Sequence, residues 1–191
     1  LLQMKKGGNA THYRYDLQGN MLQEAGHDGK EYAYDALNRQ IGVSANDLGQ
    51  INRYDGEGLR YETEKSGKTA FYLYDRGELT AETGGDTVGR YARGYDVVYS
   101  EYNGEGGGYH IQDEAKSTLF ILDRNHDVKK SYRYNAFGQV LEESGEIQNR
   151  ITYTGQMYDG AMGQYYLRAR FYNPTIGRFL QEDVYRGGGL N

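Results

Sequence analysis

Along much of the chain, two tyrosines flank a single residue and an acid or amide follows. Tyr13-Arg14-Tyr15-Asp16, Tyr32-Ala33-Tyr34-Asp35, Tyr72-Leu73-Tyr74-Asp75 and Tyr132-Arg133-Tyr134-Asn135 share this order. Tyrosines at i and i+2 lie on one face of an extended strand, because strand side chains alternate between faces. The Asp or Asn marks a turn, where its oxygen can accept from backbone N–H groups two residues on. A later glycine such as Gly19 accepts positive φ there without a Cβ clash. A second short run then returns, Met21-Leu22-Gln23-Glu24 or Val140-Leu141-Glu142-Glu143. It ends at another turn, and His27-Asp28-Gly29-Lys30 carries the Asp-Gly hairpin signal. No long run has helical periodicity, so the pattern predicts an all-β chain of antiparallel hairpins.

The Tyr-Asp pair recurs at Asp16, Asp35, Asp55, Asp75 and Asp96, intervals of 19, 20, 20 and 21 residues. Degenerate copies follow at Tyr134-Asn135 and Tyr158-Asp159. Two strands of about five or six residues plus two turns occupy about 20 residues. The unit is therefore a β-hairpin, and about nine or ten of them fill the chain. Units that cannot bury a face alone stack into a shared, curved and twisted sheet. Arrays of this kind build surfaces, rods or shells and seldom a single catalytic centre.

Composition sharpens this picture. The 28 glycines supply turns, while the single proline, Pro174, leaves backbone donors free for a continuous sheet. Aliphatic residues are sparse, and burial falls to 21 tyrosines, each able to cover roughly 150–250 Å² while its hydroxyl stays bonded. A net charge of −5 with acids and bases intermixed argues against a nucleic-acid surface. Zero cysteines exclude a disulfide framework and suit a secreted bacterial protein or a cytosolic one. No signal peptide and no membrane-spanning apolar run are present. The chain opens at Leu1 and stops in mid-motif at Leu190-Asn191, as expected of a piece of a longer polypeptide.

After Gly104-Glu105-Gly106-Gly107-Gly108 the repeat loses regularity. Tyr165-Tyr166-Leu167-Arg168-Ala169-Arg170-Phe171-Tyr172 reads as one two-sided strand. Tyr165, Leu167, Ala169 and Phe171 form its apolar face; Tyr166, Arg168, Arg170 and Tyr172 form an aromatic-cationic face suited to cation–π contact. Asn173-Pro174-Thr175-Ile176-Gly177 then makes a Pro-initiated turn into Arg178-Phe179-Leu180-Gln181-Glu182-Asp183.

The run from Tyr153 to Asp183 closely resembles the Rhs repeat-associated core, above all from Gly163 to Pro174 and across Gly177-Arg178-Phe179-Leu180. Asp113, Ser117 and Thr118, then Asp123 and Tyr132 to Gly138, match the start of that core, and the Tyr-Asp units resemble YD repeats of the same family. The resemblance implies two parts, YD-repeat hairpins over 1–102 and a truncated core over 103–191. It further implies a large secreted or cell-surface bacterial toxin whose repeats spiral into a hollow β-shell around a C-terminal toxin domain. In such proteins the core closes the shell and an aspartyl autoprotease frees the toxin. Where the family has an Asp-Pro-x-Gly motif, this chain has Asp183-Val184-Tyr185-Arg186. An aspartic mechanism needs two carboxylates sharing a proton, so Asp183 is at most half of that pair, and the chain as given is not expected to cleave itself.

Other constellations favour structural readings. Asp123-Arg124-Asn125-His126-Asp127 imitates a calcium loop but puts Val128 at its sixth position and Tyr134 at its twelfth, which suits a hairpin turn better. His12, His27, His110 and His126 have no ligand spacing. The glycine clusters Gly84-Gly85, Gly106 to Gly108 and Gly187 to Gly189 lack the Lys-Ser/Thr of a phosphate loop. No cofactor and no metal are expected. A sugar- or choline-binding repeat module is the alternative function, although such arrays usually lean on tryptophan, which is absent. Expected partners are the remaining shell and the toxin domain of the parent polypeptide, with self-association through exposed sheet edges and no nucleic acid.

Overall fold

In a computed structural model the chain is almost wholly β; the structure describes residues 2–6, 9–26, 29–46 and 48–183. Fifteen strands follow one another in chain order in one antiparallel sheet. They are β1 (Leu2–Lys6), β2 (Asn9–Tyr15), β3 (Met21–Ala25), β4 (Lys30–Tyr34), β5 (Gln40–Ala45), β6 (Leu48–Tyr54), β7 (Arg60–Lys65) and β8 (Lys68–Asp75). The sheet continues through β9 (Glu78–Gly84), β10 (Thr87–Arg93), β11 (Val97–Tyr102), β12 (Glu105–Gln112), β13 (Thr118–Leu122), β14 (Val128–Tyr134) and β15 (Val140–Ser144). A second, four-stranded sheet comprises β16 (Met157–Asp159), β17 (Gln164–Leu167), β18 (Arg170–Asn173) and β19 (Arg178–Phe179). The hairpin array predicted from the tyrosine spacing is the observed architecture. His27 and Asp28 of the predicted Asp-Gly turn lie outside the described residues, as do Gly187 to Gly189.

Every connection in the large sheet is a reversal, so alternate turns fall on opposite edges of the ribbon. Those after β2, β4, β6 and β14 share one geometry. The Oδ1 of Asp16, Asp35, Asp55 or Asn135 accepts from the backbone N–H groups two and four residues on, at 2.8–3.0 Å. The third residue after it takes positive φ: Gly19 81°, Asn38 61°, Gly58 82° and Gly138 82°. This is why a 20-residue period carries Asp and, usually, Gly at fixed offset. Asp113 builds a related loop on the same edge, accepting from Ser117 N–H at 2.7 Å with Lys116 at φ 72°. It fills the long gap between Asp96 and Asn135, and no preceding tyrosine announced it. Asp123 forms a hairpin turn on the opposite edge, accepting from Asn125 and Asp127.

Three Tyr-Asp pairs depart from the predicted turn. After Tyr74 the chain reverses over Arg76 and Gly77, both at positive φ, and Asp75 ends strand β8. Asp96 has its carboxylate 3.0 Å from Lys116 Nζ, while Tyr95 projects outward, 92% exposed. Tyr158-Asp159 belongs to β16, so it is not a copy of the repeat at all.

The tyrosines have two jobs. Tyr13, Tyr32, Tyr72, Tyr91 and Tyr132 bury their rings on the inward face. The tyrosine immediately before each turn residue reaches back to the preceding hairpin. Tyr34 OH donates to Met21 O, Tyr54 to Gln40 O, Tyr74 to Arg60 O and Tyr134 to Thr118 O, at 2.7–2.9 Å. Each acceptor lies five residues after the preceding turn Asp, so consecutive units are tied by one phenol apiece. Where Tyr95 turns outward, Arg93 Nε donates to Leu79 O at 2.8 Å and supplies the rung instead.

The sheet is strongly rolled. Strands β3 and β14 are eleven neighbours apart in sheet order, about 53 Å at ~4.8 Å per strand. Both ends nevertheless meet the small sheet, whose four strands span only about 14 Å on the same spacing. Met21 N–H donates to Leu180 O at 2.8 Å near one end. At the other, Tyr165 and Tyr172 hydroxyls donate to Gly138 O and Phe137 O at 2.9 and 3.0 Å. The core lies between the two sheets, where Met21, Val43, Leu79 and Val97 meet Ile151, Met157, Met162, Phe171 and Leu180.

Candidate functional site

The small sheet sits inside the roll as a plug, and its chain path explains how. After β15, residues 145–152 form a strap that is exposed at Gly145, Glu146 and Gln148 and buried at Ile151 and Thr152, followed by a 3₁₀ turn at Tyr153–Gly155 and then β16. The run read as one two-sided strand is instead a tight hairpin: β17 ends at Leu167, and Arg168 turns with φ 59°. Tyr165 therefore faces Tyr172, and Tyr166 faces Phe171. The turn contains neither Gly nor Asn, so no local turn signal marks it. The cation–π expectation holds for Arg170, 3.8 Å from the Phe179 ring centroid.

At the centre of the seat is Arg60, fully buried at the start of β7. Its guanidinium lies 4.6–5.4 Å from the ring centroids of Tyr72, Tyr166 and Phe171. Nη1 is 3.3 Å from Asn52 Oδ1 and 3.6 Å from Asp159 Oδ2. Gln50 Nε2 donates to Asp159 Oδ2 at 2.7 Å and to Asn52 Oδ1 at 3.0 Å. Tyr166 OH accepts from Arg60 N–H at 2.8 Å. Burial alone would lower the Arg60 pKa; Tyr72 and Asp159 more than offset it and hold it above the usual arginine value. The charge is thus permanent and pins plug to wall.

Two further ion pairs repeat the arrangement. Arg150 of the strap lies 2.7 Å from Glu82 on β9, a carboxylate that also accepts from Tyr91 and Tyr102 hydroxyls at 2.5 and 2.9 Å. At the rim Glu78 joins Arg93 at 3.0 Å to Arg168 of the plug hairpin, and Arg168 Nε also donates to Gly77 O at 2.7 Å. A third tie is neutral. Thr118 Oγ1 donates to Ile151 O at 2.9 Å, so it accepts from His110 Nδ1 at 3.1 Å; Nε2 in turn accepts from Ser100 Oγ at 2.8 Å. Burial, and secondarily the charge of Arg93, push His110 down to about 4, so the ring is neutral near pH 7.

Asp183 emerges at the rim, about half exposed, with Oδ2 3.1 Å from Arg170 Nη2; Val184, Tyr185 and Arg186 lie outside the described residues. The other residues singled out in sequence are structural in position: Asp123 and Asn125 hold a hairpin turn, and His110 sits in the tie to the strap. The strongest polar centre, Arg60 with Asp159, was missed. Its one signal was Arg60 at the offset that Met21, Gln40 and Thr118 occupy in other units. Between wall and strap opens a cleft of about 840 Å³ lined by Tyr72, Tyr102, Tyr132 and Tyr158 together with Lys130, Arg150, Glu82 and Glu143. Among the described residues no group of three or more His, Cys, Asp and Glu side chains is arranged to hold a metal, and no helix is long and apolar enough to cross a membrane.

A rolled β-ribbon closed by its own C-terminal sheet defines a class, the β-shell segment with an integral plug. Comparison with known proteins places it more narrowly. Residues 103–187 match the family described as Teneurin YD-shell. The tRNA3(Ser)-specific nuclease WapA of Bacillus spizizenii is 31% identical over 194 residues, covering 93% of this chain and 8% of that protein. Double-stranded DNA deaminase toxin A of Burkholderia cenocepacia is 26% identical, covering 98% of this chain and 15% of that protein. The TcdB2-TccC3-Cdc42 crystal structure superposes with a TM-score of 0.66 at 17% identity, over 92% of this chain and 12% of that one. A Photorhabdus luminescens Tc holotoxin pore gives 0.64 at 15%, over 93% and 12%; at these identities the likeness is one of fold. The chain belongs to the Rhs/YD-repeat family and is a structural segment of its shell. It spans less than a sixth of each of these relatives.

Proposed function

We propose that this segment is the closing end of a secreted or cell-surface bacterial shell that encloses a toxin domain carried C-terminal to it. The observation that carries the reading is the plug itself. One four-stranded sheet is bonded to β3 at one end of the roll, to the β14–β15 turn at the other, and between them to β7 through Tyr166 and to β9 through the Arg168–Glu78 ion pair. A barrier needs such redundancy; a ligand site does not. The named activities of the relatives, a nuclease and a deaminase toxin, support a cargo that is enzymatic while the wall is not. The inward rings are buried and the repeat's second set of phenols is bonded to backbone carbonyls, which leaves few ring faces for stacking sugars or choline.

In this reading residues 1–102 are repeat wall and 103–191 the core that ends it. The upstream shell of the parent chain pairs with the free edge of β1. In the isolated segment that edge, and the edge of β15, drive self-association. Asp183, at the rim where the chain leaves the plug, is one half of a processing pair whose other carboxylate comes from the following residues. The test is limited proteolysis of the longer natural protein. Its C-terminal domain should resist cleavage until the plug is loosened by Arg60→Met. Digestion of that domain at the same rate in both forms would overturn the enclosure. Processing unchanged by Asp183→Asn would remove that residue's role, and a strict monomer in light scattering of the segment would dismiss the edge pairing.

A further inference from the structure

Nearly all the buried polar side-chain atoms that lack a hydrogen-bond partner among the described residues lie where plug meets wall. Gln40 on β5 and Gln164 on β17 are fully or almost fully buried, and both the Oε1 and the Nε2 of each are without a partner. Arg60 Nε shares that condition. The backbones of the two glutamines, though not their side-chain amides, adjoin one network. Gln40 O accepts from Asn52 Nδ2 at 2.9 Å, Asn52 Oδ1 takes Arg60 and Gln50, Gln50 reaches Asp159, and Asp159 is the cross-strand neighbour of Gln164. A second, smaller instance flanks the Met21–Leu180 backbone bond, where Asn20 Oδ1 and Gln181 Nε2 are both buried and unpartnered. Arg150 Nε lacks a well-angled bond but lies 2.7 Å from Glu82 and is accounted for by that ion pair.

The chemistry of this inventory identifies its ligand. An anion would satisfy only the donors, Gln40 Nε2, Gln164 Nε2 and Arg60 Nε. A cation would satisfy only the acceptors, and Arg60 would repel it. The charges of Arg60 and Asp159 balance, so the site carries no net charge to draw in either ion. Flipping either glutamine amide exchanges O and N and leaves the same inventory. Water alone both donates and accepts, typically with about three bonds per buried molecule. The 840 Å³ cleft is lined by Gln50 and Asp159, members of the network, so solvent has a route to it.

We propose that the plug is seated on enclosed water: about two or three molecules bridge Gln40, Arg60 and Gln164, and another joins Asn20 to Gln181. The seat then resembles a separable protein–protein interface, which is routinely wet, more than a domain core. Plug and wall can part by exchanging those waters with solvent.

Gln40→Met and Gln164→Met keep side-chain length and remove the polar ends. If water bridges them, each variant loses those bonds and strands the remaining partners, and the folding constant should fall about tenfold. The double variant should lose less than the product of the two, because both act on the same waters. The independent reading is nuclear Overhauser transfer from long-lived water to the side-chain amide protons of Gln40 and Gln164 in the intact protein. Water cross-peaks at both amides support the proposal whether or not the variants fold. Absent cross-peaks, or methionine variants at least as stable as the parent, would overturn it by showing that the amides are buried dry.

Discussion

Replacing Arg60 by methionine should cost more stability than any other single polar substitution in the wall. The guanidinium side chain is wholly buried and Asp159 is 9% exposed, so removing one charge leaves the other in a site that water reaches poorly. Breaking a buried pair in this way costs about 3–5 kcal/mol, and three aromatic rings lose the cation between them as well. For 191 residues, roughly 2.1 cal/mol/K of unfolding entropy per residue gives about 0.4 kcal/mol/K, so the midpoint should drop by about 7–12 °C. Asp159→Asn keeps an oxygen to accept from Gln50 and removes only the charge. Combined with Arg60→Met it should restore much of the loss, because a neutral pair needs no burial of charge. The assay is a double-mutant cycle in urea followed by tyrosine emission, with melts for the midpoints. Additive effects, with a coupling energy below about 0.5 kcal/mol, would refute the claim that these two charges are joined.

Further outcomes follow from the same geometry. Gly58 and Gly138 share φ 82°, but a Cβ on Gly58 meets open space while one on Gly138 falls 2.3 Å from the Tyr153 ring. Both alanine variants should lose about 1–2 kcal/mol to left-handed strain, and Gly138→Ala about 1–3 kcal/mol more from overpacking against the plug, measured by urea denaturation. Asp55→Ala removes an oxygen that accepts two backbone N–H bonds and should cost about 1–2 kcal/mol, whereas Asp75→Ala, at a two-residue turn, should stay within about 0.5 kcal/mol of the parent. His110 is neutral in the fold because its pKa is held down to about 4. The unfolded chain therefore binds the proton first, and stability should decline as pH falls from about 6.5 towards 4, by about 3 kcal/mol in all; His110→Gln should flatten that part of a pH series. Burial, with nearby phenols and carboxylates adding to it, pushes Tyr32, Tyr34, Tyr74 and Tyr134 well above ordinary phenols. Stability should thus be lost as pH rises past 10, and phenolate absorbance should appear in one cooperative step with unfolding.

The legible and the hidden parts of this molecule differ in range. The 20-residue period reports interactions that close within a hairpin or reach only to the preceding one. The Asp-to-backbone bonds span two and four residues, and the phenol rungs span 13 to 16. A contact repeated at fixed short separation must recur in the sequence, so fold class, the turns at Asp16, Asp35, Asp55 and Asn135, and the buried tyrosine face could be read there, while the pairs ending in Asp75, Asp96 and Asp159 misled. Asp113 slipped through because its loop needs the acid but not the tyrosine before it. The Arg168 turn slipped through because tertiary contacts to Gly77 and Glu78 hold a left-handed arginine that no local rule favours.

Sequence alone therefore settled that the chain is a ribbon of tyrosine-rich hairpins with acid-marked turns, because the interactions behind that pattern are local and periodic. Only the tertiary structure decided how far the ribbon rolls, that residues 157–179 fold back inside it, and that Arg60 meets Asp159 across 99 residues. Such contacts occur once each, between partners brought together by the curl of the whole sheet, and a singular long-range contact leaves no repeated mark along the chain.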